Sequence, residues 1–130
     1  MPENPVKIMV IDDEADIMKF MQKILKHRHG FATCGEVDGE RAVELYKAQK
    51  PDVSILDIQL DNSALDGIDV LREIRKINPL AKCIMITRIT EAPAIEQAKK
   101  LGAMAYLLKP IDTKEWIEVV LKVVNMEKGS

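Results

Sequence analysis

Short apolar runs alternate with longer stretches in which apolar residues recur every third or fourth position, and the alternation repeats five times along the chain. Continuous or period-2 apolar runs bounded by turn residues predict strands, and the 3.6-residue period predicts helices laid over them. The first strand is "VKIMVI", 6–11. A helix follows from about Glu14 to His27, with Ile17, Met18, Met21, Ile24 and Leu25 on one stripe and Gly30 as its stop. "FATCGEV" is the second strand, and Asp38 caps a helix that turns Ala42, Leu45 and Tyr46 inward until "KPD" breaks it. The third strand, "VSIL" at 53–56, precedes a helix from near Gly67 to Asn78 with Val70, Leu71, Ile74 and Ile77 at helical spacing, stopped by Asn78-Pro79. "KCIMIT", 82–87, is the fourth strand. Pro93 opens the fourth helix, which carries Ile95, Ala98 and Leu101 inward and ends at Gly102. The fifth strand is "AYLL", 105–108, and the last helix starts near Asp112, where Asp112 and Glu115 have capping-box spacing, and runs to about Met126.

Five strand-helix units predict an α/β domain with a doubly wound parallel sheet and five helices. The common order for such a sheet is 2-1-3-4-5, in which the connections reverse direction between strands 1 and 3. The chain's 130 residues suit one such domain, with its core at about 5–126 and a polar tail, 127–130. The polar "EKGS" ending is compatible both with a protein that acts alone and with a piece of a longer regulator.

Net charge is −2 with no basic footprint, which argues against direct nucleic-acid binding. No apolar run is long enough for a membrane span and no signal peptide opens the chain, so a cytoplasmic location is expected. Cys34 and Cys83 read as separate buried thiols, since the strand order puts roughly 14 Å between their strands at about 4.8 Å per step. His27 and His29 lack partners at zinc-ligand spacing and read as surface residues.

Ligands of doubly wound sheets bind at the carboxyl ends of the strands, beside the point of reversal. Strand 1 runs into Asp12-Asp13, strand 3 into Asp57, strand 4 into Thr87 and strand 5 into Lys109-Pro110. Three carboxylates held close raise one another's pKa unless a positive group sits among them. Lys109 is one such group. A divalent cation satisfied by two or three protein oxygens, with water and phosphate completing its shell, is the other, and this describes magnesium better than calcium. Asp57 is then the natural nucleophile toward phosphorus, becoming an aspartyl phosphate while the metal and Lys109 neutralise the transferred oxygens and Thr87 offers a hydroxyl. Taken singly, these residues have plainer readings as helix caps, a strand end and a surface charge. Asn62, Asp66, Gly67 and Glu73 fall at EF-hand positions, yet Ala64 occupies a ligand position and no helix precedes the loop.

The stretches "MVIDDE", "PDVSILDI", "MIT" and "GAMAYLLKP", in this order and spacing, resemble the receiver domain of two-component response regulators over essentially the whole chain. The resemblance implies a flavodoxin-like fold and magnesium or manganese held by Asp12, Asp13, Asp57 and the backbone carbonyl of Gln59. It further implies phosphoryl transfer to Asp57 from the phosphohistidine of a histidine kinase or phosphotransfer protein, and a cis peptide between Lys109 and Pro110. Thr87 and Tyr106 would act as the switch, altering the surface of the fourth helix, fifth strand and fifth helix for a partner, an output domain or a second copy. A phosphatase with a nucleophilic aspartate would want a second acid at position 59, where Gln stands. A receiver-like docking scaffold that is never phosphorylated is the other alternative.

Three positions depart from the family pattern. Arg88 follows Thr87 where a small residue is usual and is expected to crowd or reach over the approach to the acceptor, so small phosphodonors should work poorly. Asp57 to Gly67 spans ten positions, longer than is common, and a looser loop is expected there. Gln59 and Ile89 stand where the family lines the path of the hydrolytic water, and the apolar Ile89 predicts slow self-dephosphorylation. The fifth helix also carries more apolar residues than one buried stripe needs, which points to a dimer or partner contact.

Overall fold

The computed structural model describes residues 5–88 and 92–126. Ile89 lies outside them. The chain alternates strand and helix throughout: β1 Lys7–Ile11, α1 Ala15–His29, β2 Ala32–Glu36, α2 Gly39–Gln49, β3 Val53–Asp57, α3 Gly67–Ile77, β4 Lys82–Thr87, α4 Ala92–Lys100, β5 Ala105–Leu108 and α5 Thr113–Asn125. All strands are parallel, in the expected order β2-β1-β3-β4-β5. None of the described helices is long and apolar enough to cross a membrane.

The side-chain alternation of a strand divides the core into two layers. Met9, Ile11, Leu56, Cys83 and Met85 face α2 and α3 together with Ala98 of α4. Their neighbours Ile8, Val10, Val53, Ile55, Ile84 and Ile86 face α1 and α5, where Met21, Leu25, Trp116 and Val120 close the layer. Every residue of β3 is buried, because helices cover both of its faces. The edge strand β5 buries Leu107 but leaves Tyr106 and Leu108 exposed.

Local signals explain the boundaries. Asp38 accepts from the Arg41 amide, Asp66 and Asp69 form a reciprocal capping box, and Asp112 accepts from the amides of Lys114 and Glu115. Asp66 is therefore a cap, and among the described residues it belongs to no acidic cluster of metal-ligand spacing. The first helix ends two residues later than its periodicity predicts, at His29, with Lys26, His27, Arg28 and His29 in a last turn that favours basic residues. Gly30 then takes the left-handed conformation, φ 69°.

Two expectations need correction. Ile77, which shares the helical spacing of Val70, Leu71 and Ile74, is 44% exposed, because that face rotates off the sheet in the final turn before Asn78. Of the apolar residues of α5, Ile117, Val119 and Val124 are half-buried and pack against the α1/α5 layer. The long loop after Asp57 is fastened. Ile58 and Leu60 are buried in the α2/α3 layer, and the Ser63 hydroxyl accepts from the Gly39 amide at 2.8 Å. The two cysteines are free thiols, and burial pushes that of Cys83 up to about 12.

Candidate functional site

The carboxyl ends of β1, β3, β4 and β5 meet at one edge of the sheet. Asp57 ends β3, Asp12 and Asp13 follow β1, Thr87 ends β4 and Lys109 follows β5. Gly67 permits this closeness beside Asp57: its amide donates to Ile58 O at 2.8 Å, and a Cβ there would overlap the backbone of Asp57 and Ile58. The β4 and β5 ends are joined by the Lys109 amide donating to Thr87 O at 2.8 Å. The Lys109-Pro110 peptide is cis, as the family resemblance implies.

Asp12, Asp57 and Thr87 are each 1% exposed. Lys109 Nζ lies 2.9 Å from Asp57 Oδ2 and 3.0 Å from Asp12 Oδ2, so one ammonium bridges two buried carboxylates. Burial is the chief cause that lifts Asp57 to about 6; Asp12 adds to it, while the Lys109 and Gln59 hydrogen bonds oppose it. For Lys109, burial favours the neutral amine, but the bonds and charges of Asp57 and Asp12 outweigh it and raise its pKa above 10.5. The ammonium therefore stays charged at neutral pH.

One oxygen from each of Asp12, Asp13 and Asp57 lies within 4.8 Å of the others, the only such acidic group among the described residues. Asp13 Oδ1 is buried and has no hydrogen-bond partner, whereas Asp13 Oδ2 accepts from the Asp61 amide at 3.2 Å. An all-oxygen, carboxylate-rich set with an unmatched buried acceptor fits a hard divalent cation of the magnesium type. One Lys109 cannot neutralise three carboxylates, which gives that cation an electrostatic reason to bind.

The other site residues take different positions. Gln59 donates its amide to Asp57 Oδ1 at 3.1 Å and turns its side chain to Arg88. Tyr106 stays outside the cluster, 39% exposed, with Lys99 Nζ of α4 5.2 Å from its ring centroid. Glu14 and Asp61 were not identified from sequence. Both stand on the rim, their side chains toward Arg88, and only the folded loops bring them there.

The chain matches the family model described as response regulator receiver domain over residues 8–121. It is 34% identical over 118 residues to the chemotaxis protein CheY of Thermotoga maritima, covering 90% of this chain and 96% of that protein. Among solved structures, the receiver domain of NtrX from Brucella abortus superposes with TM-score 0.80 at 31% identity, covering 92% of this chain and 99% of the other. A CheY-like receiver domain protein from Methanospirillum hungatei shares the fold, with TM-score 0.88 at 20% identity over 94% and 95% of the two chains.

Proposed function

The chain belongs to the response regulator receiver domains of two-component signalling, and from that premise we propose that Asp57 is its phosphoacceptor and Thr87 and Tyr106 its switch. The observation that carries this reading is the Lys109 ammonium on Asp57 Oδ2, beside the clustered oxygens of Asp12 and Asp13. The donor is the phosphohistidine of a histidine kinase or phosphotransfer protein. An Asp57 carboxylate oxygen attacks phosphorus, the P–N bond breaks, and the imidazole leaves with the bonding pair and takes up a proton.

Magnesium or manganese, held by Asp12, Asp13, Asp57 and the Gln59 carbonyl, would neutralise charge on the transferred oxygens when bound. Lys109 forms an ion pair with the phosphoryl group, for which it must loosen its hold on Asp57 Oδ2. The Thr87 hydroxyl, buried at the end of β4, donates to a phosphoryl oxygen. Its movement makes room for the Tyr106 ring, whose resting position is exposed beside Lys99. The α4, β5 and α5 face then changes, and with it the fit of an output domain, a target or a second copy. Phosphorylation drives the change only by contacting the two packings differently.

The domain is a signalling switch whose chemistry is on its own Asp57, and the chain is one receiver domain with its core at about 5–126. Incubation with magnesium and a phosphorylated kinase domain should add one phosphate, traced by mass spectrometry to Asp57 and absent in Asp57→Asn. No added phosphate, or one that survives the substitution, overturns the reading. The unphosphorylated docking scaffold then becomes the better account, and Arg88 over the mouth is the observation in its favour.

A further inference from the structure

Arg88 follows the buried Thr87 and is itself half exposed, lying across the mouth of the carboxylate cluster. Its Nε donates to Gln59 Oε1 at 3.1 Å, and its terminal nitrogens lie 3.9 Å from Glu14 Oε1 and from Asp61 Oδ2. Each of these three contacts also holds one carboxylate of the cluster. The Glu14 amide donates to Asp12 Oδ1 at 2.9 Å, the Gln59 amide to Asp57 Oδ1 at 3.1 Å and the Asp61 amide to Asp13 Oδ2 at 3.2 Å. One guanidinium thus ties the loops after β1 and β3 to the end of β4, at the rim of the carboxylate cluster.

We propose that Arg88 is a specificity-determining strap that closes the mouth over Asp57 against small phosphodonors and water, and that it must lift before phosphorus reaches the carboxylate. The inference rests on Asp57 being the phosphoacceptor. A planar guanidinium with several fixed donors can hold a Gln carbonyl and face two carboxylates at once, which a lysine ammonium cannot match. The contacts are half exposed and two of them are long, so the strap opens at modest cost, and closure slows access by about tenfold. The same closure acts on both reactions. With phosphoramidate as donor, the bond from Asp57 to phosphorus forms as the P–N bond breaks and ammonia leaves. In hydrolysis, water attacks phosphorus, the P–O bond to Asp57 breaks and orthophosphate departs.

The test compares the wild-type chain with Arg88→Ala and Arg88→Lys in magnesium buffer. It measures the rate of phosphorylation by phosphoramidate, the rate of phosphate loss after loading from a phosphohistidine-bearing kinase domain, and the thermal midpoint. Arg88→Ala should accelerate both reactions about tenfold, with Arg88→Lys between the two and midpoints close to wild type, because exposed contacts of this kind add little stability. A second variant, Asp61→Asn, removes one anchor and should accelerate both reactions by a smaller factor. Phosphorylation of Arg88→Ala by phosphoramidate where wild type remains unmodified is the strongest supporting outcome. Rates equal within about twofold, with Asp57 still loaded by the kinase domain, overturn the strap and leave the phosphoacceptor reading standing. A lowered midpoint with unchanged rates assigns Arg88 to stability alone and overturns it too. No phosphate on Asp57 from either donor, in wild type or Arg88→Ala, removes both readings together.

Discussion

Replacing Asp57 by Asn should stabilise the protein in metal-free buffer at neutral pH. Asp57 is buried beside Asp12, and its carboxyl sits at about 6 against an ordinary 3.8. Because the folded-state value is raised, the folded protein binds more protons than the unfolded chain between pH 4 and 6. Stability therefore falls as pH rises through that window, and the full cost is present above it. A shift of about two units corresponds to roughly 3 kcal/mol at 1.4 kcal/mol per unit. Asparagine removes that cost but also the Lys109–Asp57 ion pair, although its amide oxygen can still accept from Lys109 and the contact to Asp12 at 3.0 Å remains. A net gain of about 1–2 kcal/mol is expected, which for a chain of this size is a rise of about 4–8 °C in the thermal midpoint. Calorimetry of both proteins in chelator from pH 4.5 to 8 provides the check. The difference should be smallest at pH 4.5, grow to about pH 6 and then level off. A variant no more stable than wild type at pH 7.5, or a gain that is flat with pH, would refute the argument.

Further consequences concern the same edge. Magnesium at about ten times its dissociation constant should stabilise wild type by roughly 1.4 kcal/mol, and Asp57→Asn by much less; equal thermal shifts would contradict a site that includes Asp57. Lys109→Met leaves two buried carboxylates without their shared cation and should cost about 3–5 kcal/mol in urea unfolding at pH 7.5, partly recovered by magnesium or acid. An unchanged urea midpoint would count against the bridge. The raised Lys109 pKa gives the same pH sign in an alkaline window: its contribution is complete below pH 10.5 and fades only as pH climbs through the higher folded-state value, which alkaline unfolding can follow. Gly67→Ala drives a Cβ into the backbone of Asp57 and Ile58, where no flexible side chain can yield, and should cost about 3 kcal/mol or more while displacing Asp57.

Most of the fold was legible because the sheet buries β1, β3 and β4 on both faces, so their sequences are nearly continuous apolar runs between amphipathic helices. Asp12, Asp13, Asp57, Thr87 and Lys109 were found by the same route, since topology alone sends strand ends to one edge. What escaped the sequence depends on packing. Ile77 keeps helical spacing, but nothing in that spacing shows where the neighbouring layer stops. Leu60 lies in a stretch rich in turn formers, and its 4% exposure follows from a gap between α2 and α3 that no local pattern encodes. Arg88 is unusual in the sequence, yet its ionic partners come from positions 27 and 74 residues away on other loops and meet only after folding.

The loop after Asp57 closes at its base by the single backbone bond from Gly67 to Ile58 O. Beyond that clasp the loop still bears on the carboxylates, because the Gln59 and Asp61 amides hold Asp57 Oδ1 and Asp13 Oδ2. Lengthening a ten-residue loop by two costs only about 0.2 kcal/mol in closure entropy. Further residues can thus be added at the rim, where Asp61 stands, at little cost in stability.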